Sequence, residues 1–141
     1  MKHNGIDLAA LDTRKGADVG FHLALRHPIS NEPLGLWIHL LGADSEAYQE
    51  QLREFRRRRA DALKRNLRAN LSAAEIEAEG LELLAAVTRG WSDNMTLEGE
   101  KLAFSPDAAR KLYERFPWIR EQADQGVHER ANFLPGRAPS S

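Results

Sequence analysis

Between residues 19 and 26 the chain alternates strictly. Val19, Phe21, Leu23 and Leu25 are separated by Gly20, His22, Ala24 and Arg26. A period of two places the four apolar side chains on one face of a β-strand. His27-Pro28 ends the run, and Asn31-Glu32-Pro33 supplies turn residues and a second proline. A second run follows over 34–41. Leu36, Ile38 and Leu40 share one face, and Trp37, His39 and Leu41 share the other. The pattern predicts a β-hairpin, 19–26 paired with 34–41, joined by a long loop. An isolated hairpin is marginal, so helices or another chain must cover it. Large apolar residues on both faces of the second strand favour two-sided burial or an interface.

Beyond Gly42 the period changes. Asp44 or Ser45 caps a helix over 45–70, with Tyr48, Leu52, Phe55, Leu63 and Leu67 as a stripe that Arg59 interrupts. Fully helical, this segment would run roughly 39 Å, so one end projects or breaks near 66–70. Ser72 and Glu75 have capping-box spacing and open a second helix, with Ile76, Leu83, Leu84 and Val87 inward and Gly90 after its end. Trp91 anchors a polar connection. Ser105-Pro106 starts a third helix over 106–115, and Phe116-Pro117 leads into a fourth over 117–132. Residues 1–18 read as a flexible arm with a helical turn at 6–11, and 135–141 as a disordered tail. The expected fold is α+β: an N-terminal β-hairpin followed by a mainly helical bundle of about four helices, with 19–134 as one domain.

Composition narrows the function classes. Twenty basic residues stand against 21 acidic ones, a net charge of −1, so no whole-protein field draws nucleic acid or an anionic membrane. The absence of cysteine excludes disulfides and thiolate chemistry. No apolar run reaches membrane-spanning length, and the first residues lack a signal-peptide core, which points to folding in the cytosol.

Charge is nevertheless segregated. Residues 53–68 hold eight basic residues against two acids, whereas 72–100 hold seven acids against one arginine. A basic helix could neutralise phosphates. Arg56 to Arg59 are consecutive, however, and surround a helix instead of forming one recognition face. The simpler expectation is a basic helix set against an acidic one, in the same chain or in a neighbour.

Other candidates are sparse. Hairpin pairing could bring His22 beside His39 on a partly wet sheet, and a carboxylate could complete a metal site there, but a plain polar-face role is the stronger reading. No hydrolase elbow, phosphate loop, dinucleotide fingerprint or metalloprotease helix is present, and Ser45, Ser72 and Ser105 are explained as helix caps. Neither catalytic nor metal nor cofactor-binding residues are assigned. Trp91 reads as a core ring. Trp37 is the better interface candidate, because its apolar neighbours in the strand occupy the opposite face.

Two blocks then carry a family resemblance. Arg26-His-Pro-Ile-Ser-Asn-Glu-Pro-Leu-Gly-Leu-Trp-Ile-His-Leu-Leu-Gly-Ala-Asp-Ser-Glu-Ala-Tyr48 resembles the amino-terminal half of tail assembly chaperones of long-tailed bacteriophages and prophages. Thr88-Arg-Gly-Trp91, Leu102-Ala-Phe-Ser-Pro-Asp-Ala-Ala-Arg-Lys-Leu-Tyr-Glu-Arg-Phe-Pro-Trp-Ile-Arg-Glu-Gln122 and Arg130-Ala-Asn-Phe-Leu134 are similar to later parts of the same family. The likeness covers about residues 19–134. It implies a non-catalytic protein of the host cytoplasm, without cofactor. Such a protein binds the tape measure protein, keeps it soluble and helps recruit tail tube subunits. Its expected contacts are Trp37, Tyr48, Leu52 and Phe55, with Arg56 and Arg57 steering the partner. The unpartnered hairpin and long helix argue for a homo-oligomer. Two alternatives stand beside this reading: a structural head or tail component of a phage particle, and a nucleic-acid-binding regulator using the basic helix.

Overall fold

The computed structural model describes residues 5–65 and 70–134. Two short 3-10 turns, Leu8–Leu11 and Arg130–Phe133, stand near its ends. Between them run α1 (Thr13–Val19), β1 (Phe21–Arg26), β2 (Pro33–Leu40), α2 (Glu46–Lys64), α3 (Ala73–Ala86), β3 (Thr88–Trp91), β4 (Thr96–Leu97), β5 (Glu100–Lys101), α4 (Pro106–Arg115) and α5 (Pro117–His128). The protein is α+β, with the expected hairpin near its N-terminus. Five α-helices are present among the described residues, not four.

The additional helix is α1, in the segment whose polar pattern reads as an arm. Asp12 caps it, accepting from the main-chain N–H groups of Arg14 and Lys15 at 3.1 and 3.0 Å. Ala17 is fully buried. Gly16 lets the helix lie directly on the C-terminal turn: a Cβ built there would fall 1.6 Å from the Phe133 carbonyl oxygen. Apart from that local cap, this helix depends on tertiary packing that the polar pattern of the segment does not announce. It also shifts the start of β1 from Val19 to Phe21, because Gly20 turns the chain with φ of +84°. A Cβ at Gly20 would sit 2.5 Å from the Leu40 carbonyl oxygen.

The hairpin register pairs Phe21 with Leu40, His22 with His39, Leu23 with Ile38 and Ala24 with Trp37. The ladder then slips, so that Arg26 faces Pro33, and Gly35 takes φ of +73° within the irregular stretch of β2. A third strand completes the sheet in the order β1-β2-β3. The helical pattern extends through residue 89, but α3 stops at Ala86 and Thr88–Trp91 pairs antiparallel with β2. The cause is local chemistry joined to packing. The Thr88 hydroxyl donates to the Leu84 carbonyl at 2.8 Å and lies 2.7 Å from the Tyr113 hydroxyl, all in the interior. Trp91 is buried and donates its indole N–H to the Leu102 carbonyl at 2.8 Å. Burial lifts the Tyr113 phenol well above its ordinary value, only partly opposed by the Thr88 hydrogen bond.

One core serves most of the chain. Leu23, Leu25, Ile38 and Leu40 of the hairpin meet Leu81, Leu84 and Val87, then Ala109, Leu112 and Tyr113, then Ile119, Ala123 and Val127. Helix starts follow the serine caps: Ser45, Ser72 and Ser105 each accept a main-chain N–H from the first turn, and Ser72 with Glu75 closes a full capping box. Helix α2 has 19 residues, about 28 Å, and ends at Lys64. The expected break at 66–70 and the tail at 135–141 fall largely or wholly outside the described residues. Among the described residues no helix is long and apolar enough to cross a membrane.

The segregated charges meet within the chain. Arg58 pairs with Glu82 at 2.8 Å and Arg59 with Glu79 at 2.7 Å, both across the α2–α3 seam. Arg120 of α5 pairs with Glu77. The basic helix also neutralises itself: Arg53 bonds Glu46 and Glu50, and Arg57 bonds Glu50 and Glu54. Those contacts hold the Arg53, Arg57 and Arg58 guanidiniums above their ordinary value and Glu50 below its own.

Candidate interaction surface

The sheet has two faces, and the alternation of β1 and β2 assigns each residue to one. Leu23, Leu25, Ile38 and Leu40 point toward the helices. His22, Ala24, Trp37 and His39 point the other way and stand outside the core. On this outer face the His22 and Trp37 rings stack with centroids 3.8 Å apart and planes 4° from parallel. The two residues are diagonal neighbours across the hairpin, a separation that long or aromatic side chains can bridge. His39 lies directly opposite His22, with ring centroids 5.1 Å apart.

Main-chain contacts fix this cluster in place. The Trp37 N–H donates to the Ser92 hydroxyl at 3.1 Å, and the Ser92 N–H donates to the Trp37 carbonyl at 3.0 Å. Nε2 of His39 donates to the Val19 carbonyl at 2.9 Å, so that ring is anchored where α1 passes into β1. Burial, and secondarily the neighbouring His39, push the His22 imidazole below its ordinary value. The shift favours the uncharged imidazole in the stack.

The α2 candidates lie elsewhere. Tyr48 is half-buried and its hydroxyl meets Nε2 of His128 at 3.1 Å, with the two rings edge-to-face. Burial, and then Asp124, raise its phenol above the usual value. Leu52 is half-buried, while Phe55 is only 3% exposed beneath the Arg58 guanidinium. Arg56 is exposed and makes no ion pair among the described residues, whereas Arg57 is committed to Glu50 and Glu54. The six positions thus do not converge on one patch. Trp37 belongs to the outer sheet face, Phe55 to the interior, and the arginines to the outer side of α2.

His22 and His39 are the members of the surface that charge patterning did not single out. Their signal lies in the hairpin register, which puts both on the face that carries Trp37. No group of three or more histidine and acidic side chains suited to a metal ion occurs among the described residues. What the arrangement offers is an aromatic platform with imidazole edges, suited to packing against apolar or aromatic side chains of another chain. No protein-family model matches the chain, and neither curated proteins nor solved structures yield a significant match.

Proposed function

We propose that the protein is a tail assembly chaperone of the long-tailed phage type, which holds the tape measure protein in soluble form and passes it to tail tube subunits. The observation that carries this reading is the outer sheet face, where the His22–Trp37 stack and His39 stand clear of the core. A tape measure chain presents repeated apolar helix faces before it is enclosed. A pre-organised aromatic platform can cover such a face with little ordering cost, and several moderate contacts leave room for later displacement. The work is holding and delivery, in the host cytoplasm, without a cofactor.

The charge arrangement supports a protein partner over nucleic acid. Arg53, Arg57, Arg58 and Arg59 are already paired with carboxylates, so few cations of the basic helix remain to replace counterions on a phosphate backbone. The test is co-expression with the products of neighbouring genes, affinity capture, and identification of bound chains by mass. Recovery of a very long, helix-rich protein, lost with Trp37→Ala, is the expected result. Recovery of nucleic acid alone, released by salt, would move the assignment to a regulator. Retention of the protein in purified particles would move it to a structural component.

A further inference from the structure

Strand β1 is an edge of the sheet, and only part of that edge is occupied. The Arg26 N–H donates to the side-chain oxygen of Gln122, and the Gln122 amide donates back to the Arg26 carbonyl, both at 2.9 Å. One glutamine of α5 thus imitates a neighbouring strand at that residue. The next residue faces inward, since the His27 N–H donates to the Glu32 carbonyl at 2.9 Å. Trp37 turns its N–H and C=O toward Ser92 on the β3 side, so Ala24 opposite it and His22 two residues back are non-hydrogen-bonded positions whose own N–H and C=O point outward. No side chain and no main chain outside the sheet bonds them among the described residues. Beside them runs a groove of about 620 Å³ between β1 and α5, lined by Ala24, Arg26, Gln122, Gln125, Gly126 and Glu129 among others.

This open window is short and symmetric. Gln122 closes it at Arg26, and the turn at Gly20 closes it at the other end, leaving His22 and Ala24 on either side of Leu23. We propose that the window is the dimer contact of this protein: β1 of a second copy adds antiparallel about a two-fold axis at Leu23, pairing His22 with Ala24 of the second copy and joining two three-stranded sheets into one of six. A two-fold contact must be self-complementary, and this one is. Helix α5 runs antiparallel to β1, with Gln122 near Arg26 and Gly126 near Phe21 and Leu23. The groove therefore carries Arg26 at one end and Glu129 at the other. Neither is in an ion pair among the described residues. The two-fold sets each Arg26 against Glu129 of the second copy, twice per dimer. The two His22–Trp37 platforms then lie on one side of a continuous sheet. The inference stands whether or not the partner is a tape measure protein.

Sedimentation velocity over a wide concentration range reads the assembly. The wild-type chain is expected to sediment as a dimer. Arg26→Glu or Glu129→Arg alone places like charges together and is expected to weaken dimerisation about tenfold, and the double swap to restore it. Ala24→Pro removes one outward N–H without touching the β1–β2 ladder and is expected to yield a monomer. Should that variant unfold, the charge swap decides alone, because Glu129 is exposed. A wild-type monomer at every concentration overturns the proposal. A dimer indifferent to both single reversals overturns it equally.

Discussion

On one face of the β1–β2–β3 sheet, Leu23, Leu25, Ile38 and Leu40 are closed under α3, α4 and α5; one residue along each strand, His22, Ala24, Trp37 and His39 face away from them. The backbone is the same and only the phase differs. The inner face removes aliphatic area from water and supplies stability. The outer face carries the His22–Trp37 stack, with Trp37 bonded to Ser92, the adjacent His39 bonded to Val19, and His22 exposed. Whether a strand residue joins the core or faces away from it is thus set by which side of a two-residue period it occupies.

Truncation on each face should separate those roles. Leu40 is fully buried, so Leu40→Ala should destabilise by about 3 kcal/mol through lost burial and a cavity, seen as a lower urea midpoint with an unchanged slope. Trp37→Ala should cost no more than about 1 kcal/mol, because it ends a cross-strand contact on a half-buried face. Under the proposed function its effect is expected in partner capture. A Trp37→Ala protein as unstable as Leu40→Ala would erase the distinction between the faces.

A smaller effect is expected where α1 is tied to the start of α2 and to the C-terminal turn. Asp44 accepts from the Thr13 hydroxyl at 2.8 Å and from Nε and a terminal nitrogen of Arg130 at 2.8 and 3.0 Å. The Arg130 hydrogen bonds first, then Thr13, hold its carboxyl below the ordinary 3.8. A carboxylate with a lowered folded pKa stabilises above its unfolded value and loses that contribution as pH falls through the folded value. Asp44→Ala should cost about 1 kcal/mol at neutral pH, since the site is partly wet, and should speed amide exchange in α1 while sparing β1 and β2. The difference from wild type should vanish below the folded pKa of Asp44.

This clasp also marks the limit of what the sequence discloses. The hairpin and the faces of its strands were legible because a two-residue period assigns faces without knowledge of neighbours, whereas the slip that sets Arg26 against Pro33 was not. Helix α4 was legible to the residue, since Ser105-Pro106 and Phe116-Pro117 are local stops. Helix α1 and strand β3 were not. Their evidence is the close approach of Gly16 to Phe133 and the hydroxyl pair of Thr88 and Tyr113, contacts spanning 117 and 25 residues that no window of sequence contains. The same holds for the candidate surface. Trp37 could be placed on a face, but its stacking on His22 required the register of both strands. Phe55 shared the helix stripe with Tyr48 and Leu52, and the stripe alone could not say that its ring would be the buried one.

The histidines of the outer face offer a finer probe. Burial first and His39 second lower the His22 pKa from 6.5. A histidine whose folded value is lowered binds fewer protons than the unfolded chain. Its neutral state therefore stabilises above about 6.5, and stability declines as pH falls from there to the folded value, then levels. Proton NMR should place the His22 midpoint below 6.5. His39→Gln should raise it only part of the way, because burial, the larger cause, remains. A full return to the ordinary value would make His39 the dominant influence and the stack a minor one.

The smallest effect separates two arginines that are close neighbours in sequence. Arg59 reaches Glu79 across the α2–α3 seam, and the Glu79 side chain is 19% exposed. Arg56 faces solvent without an ion pair among the described residues. Arg59→Ala should lower stability by less than about 1 kcal/mol, and added salt should narrow the gap from wild type as it screens the seam. Arg56→Glu should leave the melting temperature unchanged at any ionic strength. It therefore isolates steering from folding. If the basic helix guides a partner to the outer sheet face, Arg56→Glu slows association at low salt and leaves dissociation alone, whereas Trp37→Ala speeds dissociation at every salt. Equal association rates for wild type and Arg56→Glu across several salt concentrations would confine recognition to the sheet and leave the basic run as half of an internal seam.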